Sequence, residues 1–346
     1  MNVVVFAGGV SRERPVSYVS GREVALALER NGHTVTVVDP ALGADGVISN
    51  VQSMGVSIPP LPEGNALPRY LEALQLPVVQ QADIVFVALH GRYGEDGTVQ
   101  ALLEIAGIPY TGSGVSSSAA AMDKVLSRQI FDGVGIPQPP WCSVTAQDAE
   151  DPQRLEHLRT IYGNDLVVKP GDEGSSFGIT IVRDGDTAAL QQAIRFAAQF
   201  SETVLVERYI PGRELTVAIV EGLDPLPVVE IVPKNGFYDY EHKYQKGKTE
   251  YLCPAPLEET AIQTLQRLAQ QAHQALGCEI FSRVDFRMDE QGLFFCLEVN
   301  TIPGLTPLSL LPKAAAAAGI SFEQLCQILI ERSMERFRRR FDGSRS

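Results

Sequence analysis

Residues 281–310 read FSRVDFRMDEQGLFFCLEVNTIPGLTPLSL and contain the densest group of reactive side chains in the sequence. Two runs rich in valine and phenylalanine, 281–288 and 293–299, flank the turn-forming sequence Asp-Glu-Gln-Gly at 289–292. Apolar runs on either side of a polar, glycine-containing turn predict a β-hairpin. We therefore expect a hairpin here, and its strand pairing decides which side chains meet.

The pairing follows from the turn. If Met288 pairs with Leu293, the constant sum of residue numbers in an antiparallel pair places Asp285 opposite Cys296. Side chains alternate between the two faces of a strand. One face then collects the apolar side chains Val284, Phe286, Met288, Leu293, Phe295, Leu297 and Val299. The other face carries Arg283, Asp285, Glu298 and Asn300 far from the turn, with Phe294 and Cys296 nearer to it.

The polar end of this second face combines two carboxylates, an amide oxygen and a guanidinium. Hard oxygen ligands suit Mg²⁺, which binds one or two carboxylates and completes its shell with water and phosphate oxygens. The alternative is a solvated face with an Arg–Glu cross-strand pair, which would contribute at most about 1 kcal/mol. The register matters because a slip by one residue would send Asp285 and Glu298 to opposite faces.

The chain has 346 residues, of which 45% are hydrophobic and 21% charged. This length and composition are typical of a globular protein with two or three domains. The net charge of −13 speaks against a nucleic-acid partner, which would require basic patches. The one basic cluster, at 336–340, is predicted to be the solvated last turn of a C-terminal helix.

The cysteine pattern bears on the compartment. The five cysteines are widely spaced and form no CxxC pair, which predicts reduced thiols in a cytosol. The first residues lack a basic leader and their apolar run is too short for a signal peptide. No window contains the roughly 18 to 20 uncharged apolar residues of a membrane helix. We therefore expect a soluble, cytoplasmic protein with no membrane partner.

The first third of the chain alternates strands and helices, which predicts a parallel sheet. Two buried strands end in polar loops, at 8–15 and 90–97, and an amphipathic helix is predicted over 17–30. Ligands of open α/β sheets bind outside the carboxyl ends of the strands. His90 is therefore a candidate site residue beside Glu13, although a lone histidine is more often a structural hydrogen-bonding group.

A loop with three glycines and two serines, residues 170–178, lies between two predicted strands. Such a loop can fold over a phosphate chain and offer it backbone N–H groups, but a flexible hairpin tip explains it equally well. The charged, aromatic segment 234–252 is predicted to be a lid or disordered. We expect three domains, at 1–121, 122–213 and 214–346.

Ten short motifs follow one another in the sequence: GGVSRE, LHGRYGEDG, YTGSG, MDK, VVKPGDEGSSFG, VERYIPGRE, FYDYEHKY, RVDF, LEVNTIPG and SLLPKAA. With this order and spacing, the chain resembles the ATP-grasp enzymes and, within them, the D-alanine–D-alanine ligase family over nearly its whole length. The resemblance implies an α/β protein, α+β overall, with an ATP-grasp fold preceded by a Rossmann-like parallel-sheet domain.

The resemblance also implies a nucleotide site, in which ATP lies between two sheets with its phosphates under the glycine-rich loop. The phosphates would contact Lys124, Lys169, Ser175, Ser176 and Lys243. The adenine and the ribose would contact Glu207, Arg208, Tyr209, Ile210 and Glu214. The positions matching the family's metal ligands are Asp285, Glu298 and Asn300, which would hold two Mg²⁺ ions that Mn²⁺ could replace.

The implied reaction joins two D-alanines for peptidoglycan precursor synthesis. The first carboxylate attacks the γ-phosphorus of ATP to give D-alanyl phosphate and ADP, and the second amine then displaces phosphate. Phosphoryl transfer needs positioned cations. The tetrahedral step needs an oxyanion hole, which Arg283 and the Gly304 N–H would supply. An acyl phosphate hydrolyses in water, so the segment 234–252 would exclude water as a lid.

Substrate contacts follow from the same resemblance. Glu13 would hold the ammonium of the first D-alanine in a hydrogen-bonded trio with Ser175 and Tyr244. His90 would lie near the carboxylate of that D-alanine. The carboxylate of the second D-alanine would contact Ser309 and the backbone of Leu310. The family also implies a homodimer.

Two alternatives remain open. The second substrate could be D-lactate or D-serine, although Lys243 and Tyr244 favour an amine nucleophile by the same resemblance. A protein of another class, a nucleotide-binding regulator without catalysis, is disfavoured because every matched catalytic position carries the expected residue type.

Overall fold

Three β-sheets follow one another along the chain. The structure is a computed structural model that describes residues 1–174, 177–233 and 249–341. The first part of the chain forms β1 (Asn2–Phe6), α1 (Arg14–Arg30), β2 (Thr34–Val38), β3 (Val47–Ile48), α2 (Leu67–Leu74), α3 (Pro77–Gln80), β4 (Ile84–Val87), α4 (Thr98–Ala106), α5 (Val115–Met122) and α6 (Lys124–Val134). Short 3₁₀ turns at Pro40–Asp45 and Val51–Ser53 connect the elements after β2.

The middle part forms β5 (Trp141–Val144), a 3₁₀ turn (Ala146–Glu150), α7 (Pro152–Tyr162), β6 (Leu166–Pro170), β7 (Thr180–Val182), α8 (Thr187–Ala197) and β8 (Val204–Arg208). The last part forms β9 (Arg213–Val220), β10 (Val229–Pro233), β11 (Thr249–Leu252), α9 (Glu259–Ala275), β12 (Phe281–Met288), β13 (Phe294–Asn300), α10 (Leu310–Ala317) and α11 (Phe322–Phe341).

The first sheet is largely parallel, which confirms the predicted parallel sheet, but one edge strand is antiparallel. Its strand order is β3-β2-β1-β4, in which β1 pairs in parallel with β2 and β4, while β3 is antiparallel. Helix α1 begins at Arg14, three residues before the predicted start at Ser17. The reason is Pro15, because the fixed φ of proline suits the first turn of a helix.

The other two sheets are antiparallel. Strands β5-β8-β6-β7 form the second sheet, and the glycine-rich loop connects β6 to β7. Strands β11-β10-β9-β12-β13 form the third, with the predicted hairpin, β12 and β13, at one edge. The pairing of β9 with β12 is continuous from Phe281 to Met288, so the hairpin is fixed to the sheet along the full length of β12.

The predicted hairpin register is wrong. Met288 pairs with Phe294 rather than with Leu293, and Asp285 pairs with Glu298 rather than with Cys296. The five-residue connection 289–293 is longer than the predicted turn, because the Asp289 carboxylate accepts hydrogen bonds from two backbone N–H groups beyond it. A β-bulge then shifts the register again between Asp285 and Phe286.

The bulge also corrects the predicted faces. Leu297 has no partner on β12, so Leu297 and Glu298 both face away from the core, whereas Cys296 and Val299 on either side of them are buried. A bulge adds one residue and turns the following side chain to the other face. Phe294 and Cys296, predicted on the polar face, therefore belong to the core, and Leu293, predicted in the core, is 60% exposed.

Hydrophobic packing joins the two ends of the chain. One core cluster combines residues of β1 and α1 with residues of α10 and α11. A second combines α9 and the third sheet with residues of α5 and α6, and a third lies within residues 144–206. The domain boundaries remain a prediction.

The basic cluster at 336–340 is not simply a solvated last turn. Arg336 is buried, where it donates a hydrogen bond to the Gly112 carbonyl, 2.6 Å away, and its guanidinium stacks on the Tyr110 ring. Arg340 pairs with Glu104 at 2.9 Å. The prediction failed because α11 packs against the first part of the chain, where these acceptors lie.

All five cysteines are free thiols, as their spacing predicted. Among the helices of the described ranges, none combines the length and the apolar character that a bilayer crossing requires.

Candidate active site

A cleft of about 640 Å³ lies between the second and third sheets. The two sheets and their connections line it with Pro139, Val167, Lys169, Ile179, Glu207, Arg208, Tyr209, Ile210, Glu214, Asp285, Arg287, Leu297 and Glu298. The fold thus brings eight predicted nucleotide and metal residues, far apart in sequence, to one cleft.

Glu207 lies at the bottom of the cleft between two cations. One carboxylate oxygen pairs with the Lys169 ammonium, and the other lies 2.6 Å from Nη2 of Arg128. All three side chains are buried. Arg128 was not predicted from the sequence, because nothing in MDKVLSR distinguishes an inward arginine on α6 from a solvated one.

A second arginine orders residues 210–212 in the connection between β8 and β9. Arg287 donates hydrogen bonds to the Ile210 and Gly212 carbonyls at 3.1 and 2.8 Å, and lies 3.5 Å from the Glu214 carboxylate. Arg183 stacks on the Tyr209 ring with 3.7 Å to its centroid. The backbone at Tyr209 and Ile210 is thereby fixed along the cleft wall.

The Arg208 side chain has a different role from its neighbours. It donates a hydrogen bond to the Tyr162 carbonyl at 2.9 Å, at the end of α7. That contact holds the guanidinium at the protein surface, where the residue is exposed. Arg208 therefore contributes mainly its backbone to the predicted adenine contact.

Lys124 connects the glycine-rich loop with the hairpin. It is the first residue of α6, which Asp123 caps by accepting the Leu126 N–H at 3.0 Å. Its ammonium donates to the Glu173 carbonyl and lies 3.9 Å from the Glu298 carboxylate. A buried cation thus lies between the glycine-rich loop and an acidic side chain.

The hairpin acids are close to each other. Asp285 and Glu298 are direct cross-strand partners because of the bulge, and Arg283 is the partner of Asn300. The Arg283 guanidinium binds both oxygens of Asp285, at 2.9 and 2.6 Å. The Asp285 carboxylate also accepts a hydrogen bond from the Thr216 hydroxyl at 2.6 Å and one from the Asn300 amide at 3.3 Å.

The donor set at this end of the hairpin suits a hard cation. Within residues 1–174, 177–233 and 249–341, no three His, Cys, Asp or Glu side chains converge as a metal cage. Two adjacent carboxylates and an amide oxygen nevertheless match Mg²⁺, which takes few protein ligands and leaves the others to water and phosphate. The residues present therefore fit the predicted ion.

Glu13 lies at the start of α1, beside the glycine-rich loop. A methyl group on Gly174 would come within 2.9 Å of the Glu13 carboxylate, and one on Gly91 within 3.2 Å. Glycine at both positions therefore lets two loops approach this side chain. The loops at 8–15 and 90–97, predicted to share a rim, do meet at Glu13.

His90 is buried and both of its ring nitrogens are engaged. Nδ1 lies 3.1 Å from the Ile302 carbonyl and Nε2 lies 3.2 Å from the Ser20 hydroxyl. Burial lowers the pKa of His90, with the Glu13 carboxylate opposing the shift. These contacts match the structural alternative, and the predicted substrate contact of His90 remains untested.

Glu95 is a titratable neighbour that the sequence reasoning missed. It accepts a hydrogen bond from the Gly91 N–H at 2.7 Å. Burial, followed by the nearby Glu13 carboxylate, raises the pKa of Glu95 to about 8. The signal was available, because Glu95 lies in the same polar loop as His90.

The loop after the hairpin brings Gly304 next to Ser309. A methyl group on Gly304 would lie 3.0 Å from the Ser309 hydroxyl, which accepts a hydrogen bond from the Thr306 N–H at 3.1 Å. Ser309 precedes α10, and Leu310 is its first residue. The first N–H groups of a helix lack intrahelical partners and favour an anion.

Four predicted site residues and most of the predicted lid fall on residues that the structure does not describe: Ser175, Ser176, Lys243, Tyr244 and the segment 234–248.

Family profiles match both halves of the chain. The profile described as "D-ala D-ala ligase N-terminus" matches residues 2–113, and "D-ala D-ala ligase C-terminus" matches 130–331. The D-alanine–D-alanine ligase of Syntrophotalea carbinolica is 43% identical over 330 residues, covering 95% of this chain and 94% of its own length. That of Gloeobacter violaceus is 43% identical over 336 residues, covering 97% and 100%.

Solved structures are also similar. The crystal structure of D-alanine–D-alanine ligase from Bacillus anthracis superposes with a TM-score of 0.76 at 32% identity, covering 98% of this chain and 99% of its own. The same enzyme complexed with ATP gives a TM-score of 0.77 at 30% identity, covering 97% and 98%. These neighbours have the ATP-grasp fold, which confirms the predicted fold class.

Proposed function

The chain belongs to the D-alanine–D-alanine ligase family, and we propose that its cleft joins two D-alanines at the expense of ATP, releasing ADP and phosphate. One observation carries the proposal: the buried Lys169–Glu207 pair and the Asp285–Glu298 pair face each other across a single cleft. A cation at one wall and paired carboxylates at the other are what phosphoryl transfer from a nucleotide requires.

ATP binds along the wall formed by β6, β8 and β9. The adenine contacts Glu207 and the fixed backbone at Arg208, Tyr209 and Ile210, and the ribose hydroxyls contact Glu214. The phosphates then extend toward Lys169 and Lys124, whose two ammonium groups lie near the glycine-rich loop. Three further residues assigned to the phosphates lie outside the described ranges: Ser175, Ser176 and Lys243.

Asp285, Glu298 and Asn300 would hold the divalent cations. We assign two Mg²⁺ ions, replaceable by Mn²⁺, from the family resemblance and from the hard oxygen donors that these residues offer. When bound, such ions neutralise phosphate charge and polarise the transferred group. Lys124, close to Glu298, adds a protein cation on the same side.

In the first step, a carboxylate oxygen of the first D-alanine forms a bond to the γ-phosphorus, and the bond to the β–γ bridging oxygen breaks. Glu13 binds the ammonium of this substrate, because its carboxylate lies where the loops at 8–15 and 90–97 meet beside Gly174 of the glycine-rich loop. The trio with Ser175 and Tyr244, and the contact of His90, are part of this assignment.

In the second step, the amine of the second D-alanine attacks the acyl carbonyl, loses a proton and displaces phosphate. Arg283 stabilises the negative charge on the tetrahedral oxygen together with the Gly304 N–H. Ser309 and the Leu310 N–H, at the start of α10, bind the carboxylate of this second substrate. The resemblance assigns the segment 234–252, including Lys243 and Tyr244, as the lid that would exclude water from the intermediate, and its residues 234–248 lie outside the described ranges.

A homodimer in the cytoplasm is assigned from the resemblance, and the free thiols fit a reducing compartment. The product supplies peptidoglycan precursor synthesis.

The test is to incubate the protein with ATP, Mg²⁺ and D-alanine and to identify products by mass. We expect D-alanyl-D-alanine with one ADP per dipeptide, and preference for D-alanine when D-lactate or D-serine competes. If the product of D-alanine with D-lactate or with D-serine exceeds D-alanyl-D-alanine, the protein is instead a D-alanine–D-lactate or D-alanine–D-serine ligase. ADP release without any coupled product would contradict the assignment to ligation.

Glu13→Gln should lower turnover by at least about 100-fold, because the neutral amide no longer pairs with the substrate ammonium and leaves the hydrogen-bonded trio one acceptor oxygen instead of a charged carboxylate. ATP affinity should stay within about twofold, since Glu13 lies outside the nucleotide wall. The matched control is Glu29→Gln, an exposed glutamate near the end of the same helix. Steady-state kinetics and nucleotide titration measure both, and unchanged turnover would remove Glu13 from the site.

A further inference from the structure

Arg128 is a buried cation behind the cleft rather than in its lining. It lies one helical turn after Lys124 on α6 and is only 1% exposed. Its Nη2 lies 2.6 Å from Glu207, while its Nη1 donates to the Cys296 carbonyl at 2.5 Å and to the Gln138 side chain at 3.3 Å. The assigned reaction gives Arg128 no role.

The charges around Glu207 are not balanced. Arg128 and Lys169 contribute two positive charges and Glu207 one negative charge, so the buried triad carries a net charge of +1. The two cations are not equivalent, because Lys169 lines the cleft and Arg128 does not. The excess positive charge is therefore available only on the side where a nucleotide would bind.

We propose that Arg128 is a positioning residue that neutralises Glu207 and thereby leaves the charge of Lys169 for the nucleotide phosphates. The inference rests on the proposed function, since it takes the cleft to be the ATP site. Without Arg128, Lys169 and Glu207 would form a one-to-one pair with no net charge, and the ammonium would be bound to the carboxylate. Water screens charges in a buried site only weakly, so losing the net positive charge would weaken the attraction for the triphosphate of ATP.

The same guanidinium touches the hairpin. The Cys296 carbonyl, which accepts from Arg128, belongs to the residue just before Leu297, the unpaired residue of the bulge. Arg128 thus contacts both walls of the cleft from behind. A residue that only holds the two cleft walls together would make the same hydrogen bonds. The test must therefore distinguish an effect of the Arg128 charge from an effect of its packing.

Four variants provide that separation: Arg128→Met, Arg128→Lys, Glu207→Gln and the double variant Arg128→Met with Glu207→Gln. The double variant restores the net charge of +1 by leaving Lys169 alone, and glutamine keeps an acceptor oxygen for the adenine. Arg336→Met is the matched control, because Arg336 is also a buried arginine that pairs with a glutamate, Glu279, and donates to a backbone carbonyl, but far from the cleft.

The measurement is the Kd of ATP and of adenosine in the absence of D-alanine, below the melting temperature of each variant. For Arg128→Met we expect a rise in the ATP Kd of at least about tenfold with the adenosine Kd within about twofold, since adenosine carries no phosphate charge. The double variant should recover most of the ATP affinity and Arg128→Lys should retain it. Arg336→Met should change only the melting temperature.

Three results would overturn the inference: an unchanged ATP Kd in Arg128→Met, an equal loss for ATP and adenosine, or no recovery in the double variant. If Arg128→Met does not fold, because its partner is left buried and unpaired, the comparison of Glu207→Gln with the double variant decides. Nearly equal ATP affinity of those two is expected, because Arg128 has no carboxylate to neutralise in either, and an ATP Kd at least about tenfold higher in the double variant than in Glu207→Gln would contradict an action through Glu207. A wild-type protein that binds ATP but makes no dipeptide would refute the proposed function and leave this charge relation testable.

Discussion

Methionine in place of Arg283 is expected to lower kcat by about 10²- to 10³-fold, the range found when one oxyanion donor is removed. Arg283 binds both oxygens of Asp285 and lies on β12 opposite Asn300, the last residue of the strand that leads into the Gly304 loop. In the proposed function its guanidinium therefore borders the assigned metal residues and would face the acyl carbonyl of the second step. The KM for ATP should stay within about threefold, because the nucleotide wall does not include Arg283.

Two comparisons make the Arg283 result specific. Arg283→Lys keeps the charge but loses the bidentate geometry, so we expect partial activity. Arg287→Met, on the same face of the same strand, should raise the KM for ATP and leave kcat nearly unchanged, since Arg287 orders the Ile210 backbone. Measuring ADP release and dipeptide formation separately locates the defect. A kcat of Arg283→Met within threefold of wild type would exclude the oxyanion assignment.

The second large effect is expected for Glu298→Gln. The change removes one of the two adjacent carboxylates and leaves the shape of the bulge intact, so the cation site loses charge but not geometry. We expect the Mg²⁺ concentration for half-maximal activity to rise at least about tenfold, with turnover at saturating Mg²⁺ lowered by a further factor of about ten to one hundred.

The control for Glu298→Gln lies in the same hairpin. Glu290→Gln, in the exposed turn, removes an equal charge without touching the cleft and should behave as wild type. The dependence of the initial rate on Mg²⁺, measured at fixed free ATP, gives both quantities. An unchanged Mg²⁺ requirement in Glu298→Gln would remove this residue from the metal site.

Much of the fold was predictable because its signals are local. Alternating apolar residues predicted the hairpin, and valine-rich strands separated by an amphipathic helix predicted the parallel sheet. The register of the hairpin was not predictable, because two non-local facts set it: the hydrogen bonds of Asp289 in the turn and the unpaired Leu297. The grouping of Asp285 with Glu298 survived because the bulge restored their common face.

The parts of the site that escaped prediction are those whose meaning depends on neighbours distant in sequence. Arg128 is recognisable only once α6 packs between Glu207 and Cys296. Arg336 was expected in solvent because its acceptors, Gly112 and Glu279, are far away along the chain. The sequence therefore did not reveal which helical arginines are buried, because their hydrogen-bond acceptors lie far away along the chain.

The sharing of hydrophobic cores determines which parts of the molecule can move. Residues 144–206 pack around their own core, whereas the first and third sheets are joined through α10 and α11. The described chain can therefore be divided into a small unit, residues 144–206, which we call the arm, and a larger unit that contains the first and third sheets. One wall of the cleft belongs to the arm and the other to the larger unit. The backbone crosses between them only near Gly135 and near Gly212, both with positive φ. We therefore expect nucleotide entry and product exit to be governed by rotation of the arm about these two crossings.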